Sequence, residues 1–265
     1  MSHRFLNSDN DVFERLGHAW WDDDEAGSLS SLRYGVNMPR FRYFRRIIDQ
    51  RTGHSLACRK ILDVGCGGGY LSEEFAKTGF QVTGLDPILK SLQAALAHAR
   101  QSNLTIKYVN GEGEDLPFEG QSFDAVCCCD VLEHVTDFHR VLGEIARVLR
   151  PGGLFFYETV NRNLLSWLFM IKFLQDWKYT AIMERDLHIW EKFIKPDELK
   201  EALSARGLDL AEMRGWFPGG NLLTLFRALR KRLKGMIMHR ELAEKLDMRI
   251  GNRTEIAYLG YAVKS

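Results

Sequence analysis

Residues 60–70 read KILDVGCGGGY, an apolar run that stops abruptly at a glycine cluster. The first five residues have β character. Gly65, Gly67, Gly68 and Gly69 follow at once, and a helix is expected over 71–77. Glycines at the end of a strand permit positive φ and let a ligand press against bare backbone. Working outward, strands are expected at 81–85, 105–110, 123–129, 154–160 and 257–264, with helices at 91–102 and 141–149. Pro151-Gly152-Gly153 reads as the stop of the second of these helices. Strands alternating with helices at this spacing predict an α/β fold, with a mostly parallel twisted sheet and helices on both faces. Residues 1–58 read as amphipathic helix, with Phe41, Phe44, Ile47 and Ile48 sharing one face.

Composition narrows the class. The 265 residues are 45% hydrophobic and 27% charged, which excludes a disordered chain. A net charge of +1 supplies no bulk field for nucleic acid. Cys127, Cys128 and Cys129 are consecutive and would alternate across a strand, which suits packed thiols in a reducing compartment, and no CxxC pair suggests a zinc ribbon. The opening MSHRFLNSDNDVFERLGHAWWDDD has no signal-peptide core and is too acidic for a transit peptide, so a cytoplasmic location is expected. The most apolar stretch, residues 164–174 (LLSWLFMIKFL), contains Lys172 and falls short of the roughly 20 residues of a membrane span. It reads either as a core or lid helix, or as an interfacial helix docking on a bilayer, with basic residues 230–234 adding attraction to anionic lipid.

The glycine loop does not fit dinucleotide binding. Counting GxGxxG from Gly65 places Tyr70 at the sixth position, and counting from Gly67 places Ser72 there. Asp86 ends the second expected strand, where a carboxylate can accept both hydroxyls of a ribose; the plainer reading is a helix cap. Glu112, Gly113 and Glu114 follow the third strand and would line an adenine slot, unless Glu112 is merely solvated. Cys129 and Asp130 end the fourth strand beside the same crevice.

The ordered set DVGCGGG, GLD, GEGEDLPF, FDAVCCCDVLEHV and LRPGG resembles the class I S-adenosylmethionine-dependent methyltransferases. FERLGHAWWDDD, NMPR (37–40), EHV (133–135), NRN (161–163), FIKP (193–196) and YLGYA (258–262) narrow that resemblance to the ubiquinone-biosynthesis O-methyltransferases. It implies a Rossmann-like fold with an N-terminal helical lid over residues 1–58. It also implies a cofactor-binding domain over 59–265, with helical insertions at about 161–192 and 219–255. It implies S-adenosyl-L-methionine held by Arg40, Gly65, Asp86 and Cys129, and the loops around the same crevice add Asp63, Gly67, Glu112, Gly113 and Glu114 as expected cofactor-binding residues. Arg40 would meet the cofactor carboxylate from the lid; otherwise it is a surface cation near residues 22–25. The implied substrate is a prenylated phenol or quinol methylated on oxygen, with peripheral membrane contact and contact with other quinone-biosynthesis enzymes. A different small-molecule acceptor is the alternative, decided by residues 219–253, and a non-catalytic cofactor-binding scaffold is the third reading.

A phenol has a pKa near 10, so methylation on oxygen needs a general base or a metal to supply phenolate. Glu133 and His134 are the candidate catalytic residues. Asp130, Glu133 and His134 stand at i, i+3 and i+4, and on a helix they would share one face and could hold Mg²⁺ or Zn²⁺. The family pattern carries Glu where this chain has Asp130. Otherwise Glu133 and His134 are ordinary polar residues packed beside the crevice.

Overall fold

The computed structural model describes residues 8–22, 28–52 and 59–265. Expectations for residues 1–7, 23–27 and 53–58, including the acidic end of the WWDDD run, lie outside the described residues. In chain order the elements open with α1 (Ser8–Leu16) and α2 (Leu29–Ser31). A π-helical turn over Leu32–Asn37 leads directly into α3 (Met38–Thr52). Then come β1 (Lys60–Val64), α4 (Tyr70–Lys77), β2 (Gln81–Asp86), α5 (Leu89–Gln101), β3 (Lys107–Asn110) and β4 (Phe123–Cys129). The second half holds α6 (Phe138–Val148), β5 (Leu149–Val160), α7 (Leu164–Ser166), a π-helix over Trp167–Asp176 and α8 (Pro196–Ser204). It closes with β6 (Leu208–Pro218), α9 (Leu222–Leu233), α10 (His239–Leu246), β7 (Met248–Gly251) and β8 (Ala257–Lys264).

The strands form one sheet in the order β3-β2-β1-β4-β5-β8-β6-β7. β3, β2, β1, β4 and β5 pair in parallel, whereas β8 runs antiparallel to both β5 and β6, and β7 antiparallel to β6. The expected mostly parallel sheet is therefore present. The order reverses at β1, so the C-terminal ends of β1 and β4 flank the crevice where doubly wound sheets take ligands.

Period-two burial separates two apolar layers. Leu62, Val64, Val126, Cys128, Phe155 and Tyr157 face α6 and α8, packing on Val141, Ile145, Leu199 and Leu203. Ile61, Ala125, Cys127, Cys129 and Phe156 face the other way onto Phe41, Phe44, Ile47 and Ile48 of α3 and Phe75 of α4. The four α3 residues expected to share a face thus form one buried stripe. The consecutive cysteines alternate between the layers, and Cys66, Cys127, Cys128 and Cys129 are free, buried thiols. Pro151-Gly152-Gly153 does not form a separate loop. It lies inside β5, where the pairing with β4 slips between Phe123 and Ala125, because Gly152 takes φ +75° and accommodates the irregularity.

Candidate active site

One cavity of about 460 Å³ opens over the C-terminal ends of β1, β2, β4 and β5. Arg40, Asp63, Gly65, Gly67, Asp86, Glu112, Gly113, Glu114 and Cys129 all line it, as do Asp130 and His134. Residues spread over some ninety positions meet there because parallel strands deliver every β-to-helix loop to the same edge.

The glycine loop combines left-handed backbone with close neighbours, a pairing that selects glycine. Gly65 has φ +69°, and a Cβ there would lie 2.2 Å from Val131 Cγ2. Gly67 has φ +51°, and its Cβ would meet the Trp20 ring at 2.5 Å. The two strand ends are tied to this loop. Asp86 Oδ2 accepts from Gly67 N at 2.9 Å, and its Oδ1 accepts from Ile88 N at 2.8 Å. A carboxylate has about four lone-pair sites, so both oxygens can still receive ribose hydroxyls. Asp63 accepts from Ser72 Oγ at 2.6 Å. Burial pushes the Asp63 carboxyl up to about 6 against that hydrogen bond, and pushes Asp86 up to about 6 against its two backbone donors. Glu114 accepts from Thr136 N at 3.0 Å, holding the turn that precedes α6. These features fit S-adenosylmethionine: a glycine loop at the end of β1, a buried carboxylate at the end of β2 and an adjoining slot after β3, all on one cavity.

Two tryptophans close the loop from above. Trp21 Nε1 donates to Gly68 O at 2.8 Å, and Trp20 Nε1 donates to Ser91 Oγ at 2.9 Å. The Tyr70 hydroxyl donates to the Trp20 carbonyl, and Trp20 packs with Leu29 and Tyr70 in its own small cluster. The N-terminal segment therefore covers the cradle.

Arg40 is buried and not a surface cation. Its Nε donates to Glu158 at 2.7 Å and its Nη2 donates to Asp130. Burial works against the charge, but Glu158 and Asp130 together hold the guanidinium pKa well above its ordinary value. Among the described residues that line the cavity it is the one Arg or Lys.

The reading of residues 130–134 as one metal-holding helix face needs correction. The segment is turn, not helix, and Asp130 takes φ +56°. Asp130 is drawn to Arg40, while Glu133 points into the core, 1% exposed, and accepts from Thr159 Oγ1 at 2.8 Å. Glu133 does not line the cavity; His134 does. Among the described residues no group of three or more His, Cys, Asp or Glu side chains is arranged to hold a metal, so this donor set does not fit Mg²⁺ or Zn²⁺. Burial first, and then Asp130, push the Glu133 carboxyl up to about 7, with His134 opposing.

Three residues of the site carry no motif of their own. His188 lines the cavity with its ring centroid 5.4 Å from that of His134, and its backbone is fixed by Gln175 through bonds of 2.9 and 3.2 Å. Nothing in the surrounding LHIW marks it. Glu158 was legible in principle, since a carboxylate inside the apolar run LFFYETV requires a partner. Trp20 was visible only as part of a motif.

The far wall of the cavity is apolar: Phe169, Met170, Leu174, Ile182, Met183, Leu225 and Leu246. Leu174, Leu225, Leu229 and Leu242 join the Trp167–Asp176 helix to α9 and α10 in a cluster separate from the two sheet layers. Residues 164–174 divide their faces, with Ile171 and Leu174 buried and Leu164, Leu165 and Leu168 exposed. Among the described residues no helix is long and apolar enough to cross a membrane.

Comparison with known proteins agrees with this geometry. Residues 62–157 match the methyltransferase domain family. A ubiquinone biosynthesis O-methyltransferase of Hahella chejuensis is 40% identical over 204 residues, covering 77% of this chain and 81% of that protein. Proteins of the same name from Methylobacterium sp. (strain 4-46) and Haemophilus ducreyi are 36% and 35% identical, each over 77% of this chain and 82% and 84% of theirs. Among solved structures, a SAM-dependent methyltransferase of Methanosarcina mazei aligns with a TM-score of 0.57 at 21% identity, covering 82% of this chain and 96% of that one. The [4+2]-cyclase SpnF aligns at 0.56 and 18% identity, over 91% and 96% of the two chains, so the fold alone does not set the chemistry. The sequence relatives do: this chain belongs to the ubiquinone biosynthesis O-methyltransferase family of S-adenosylmethionine-dependent methyltransferases.

Proposed function

We propose that this protein methylates a phenolic or catechol-type hydroxyl of a prenylated quinone precursor. The observation that carries the proposal is one cavity that joins the glycine cradle and Asp86 to an apolar wall built by residues 161–192 and 219–255. S-adenosylmethionine supplies an electrophilic methyl group on a sulfonium, open to in-line attack by oxygen. Asp86 would receive the ribose hydroxyls, and residues 112–114 would border adenine. Gly65, Gly67, Asp63 and Cys129 would surround the methionine half, and Arg40 would meet its carboxylate. His134 faces the acceptor side and takes the phenolic proton, with Glu133 behind it as an electrostatic partner. The apolar wall excludes water from the oxygen and accommodates the start of the prenyl tail.

In this reading residues 1–58 act as the lid of a domain spanning 59–265, and the two insertions form the tail-binding cap. Leu164, Leu165 and Leu168, exposed on that cap, would rest on the cytoplasmic face of a bilayer, where the tail enters and where other quinone-biosynthesis enzymes meet their substrates. Mass spectrometry of quinone intermediates in a strain lacking this protein tests the proposal. Accumulation of an unmethylated prenylated phenol supports it, and an unchanged intermediate profile refutes it.

A further inference from the structure

Arg40 is shared unequally between its two carboxylates. Glu158 sits within β5, register-paired with Cys129 of β4 on one side and Leu259 of β8 on the other, and its side chain is 5% exposed. It engages the Nε of Arg40 at 2.7 Å. Asp130 lies just beyond the end of β4 in a left-handed turn, its side chain 30% exposed toward the cavity, and it engages Nη2. One carboxylate is embedded in the sheet. The other stands on a turn at the cavity surface.

S-adenosylmethionine carries one carboxylate, and Arg40 is the one Arg or Lys among the described residues that line the cavity. A third carboxylate would crowd Asp130 and Glu158 around a single buried guanidinium, and the partner free to give way is Asp130, whose side chain is 30% exposed against 5% for Glu158. We propose that Asp130 is a positioning residue that holds the place of the cofactor's carboxylate on Arg40 and yields it on binding, while Glu158 stays as the anchor. Glu158 keeps the guanidinium in place through its Nε, while Asp130 occupies the outer donor before the cofactor arrives and competes for it. The inference rests on the reading that this cavity takes S-adenosylmethionine through Arg40.

Calorimetry with two probes separates the claims: S-adenosylhomocysteine, which has the carboxylate, and 5′-methylthioadenosine, which lacks the amino-acid half. Asp130→Asn is the main variant, because Asn tolerates a left-handed turn and the fold should persist. It should bind S-adenosylhomocysteine roughly three- to tenfold more tightly than wild type, since the competing conformer is removed. Binding of 5′-methylthioadenosine should not change. Arg40→Gln should weaken S-adenosylhomocysteine by about tenfold or more, the contribution of a charged hydrogen bond, and leave 5′-methylthioadenosine unchanged. Equal or weaker binding of S-adenosylhomocysteine by Asp130→Asn, with Arg40→Gln still impaired, overturns the place-holder role alone. If Arg40→Gln is not impaired, the cofactor carboxylate lies elsewhere and the underlying reading falls with it.

Discussion

Asp86 Oδ2 accepts a hydrogen bond from Gly67 N at 2.9 Å, which ties the end of β2 to the glycine loop after β1. The same carboxylate lines the cavity, and in the proposed reading it receives the ribose hydroxyls. Asp86→Ala should therefore lower S-adenosylmethionine affinity by about tenfold or more in calorimetry, given that charged hydrogen bonds contribute roughly 1.5–3 kcal/mol. Burial pushes this carboxyl up to about 6, and only its ionised form accepts two hydroxyls. Affinity of the wild type should thus fall as pH drops through that value, by up to about tenfold per pH unit. A flat profile between pH 5 and 8, on the order of three units of titration range, would argue against the ribose assignment.

Asp63 makes an independent statement about stability. Its folded pKa, about 6, lies above the ordinary carboxylate value because it is buried. A raised acid binds its proton more tightly when folded, so its contribution to stability is fully present below the unfolded pKa and is lost as pH rises through about 6. Urea denaturation of wild type and Asp63→Asn on either side of that window should show a smaller pH-dependent loss in the variant. Identical pH dependence in the two proteins would remove the assignment.

The tryptophan cover has a kinetic consequence. Trp21→Phe keeps the ring beside His98 and Arg33 but deletes the hydrogen bond to Gly68 O. The lost bond should raise KM for S-adenosylmethionine roughly two- to tenfold, with kcat little changed. Steady-state kinetics with varied cofactor reads this directly, and a lowered kcat at constant KM would mean that the lid acts on the acceptor instead.

Much of the strand-end side of the cavity is legible in the sequence, and the reason is local. The step from KILDV into GCGGG leaves few alternatives to a strand and a cradle, and Asp86 follows at the end of the next apolar run. β6 and β7 were not anticipated. LDLAEMRGWFP mixes Asp209, Glu212 and Arg214 into its run, so no clean alternation survives, and β7 has only four residues. The rest of the cavity is less legible because it depends on tertiary contacts. Asp130, Glu133 and His134 look like one helix face by spacing, yet the turn sends Glu133 into the core and Asp130 to Arg40. His188 reaches the cavity only through the path of the 161–192 segment and its clasp by Gln175.

Liposome flotation checks the cap. Wild type should float with anionic vesicles at low salt, and Leu165→Ser with Leu168→Ser should release it, because both side chains are exposed. Wild type that never floats would leave residues 164–174 a packing element of the cap alone.

The most direct test of the account is methyl transfer in vitro from isotopically labelled S-adenosylmethionine to a short-chain 2-prenyl-6-hydroxyphenol, with wild type beside His134→Gln. The account predicts label on the phenolic oxygen with wild type. In the variant kcat should fall by about a hundredfold or more, in the range of general base catalysis, with cofactor affinity retained. Label transfer to no phenolic or quinol acceptor, by an enzyme that binds the cofactor normally, would contradict it.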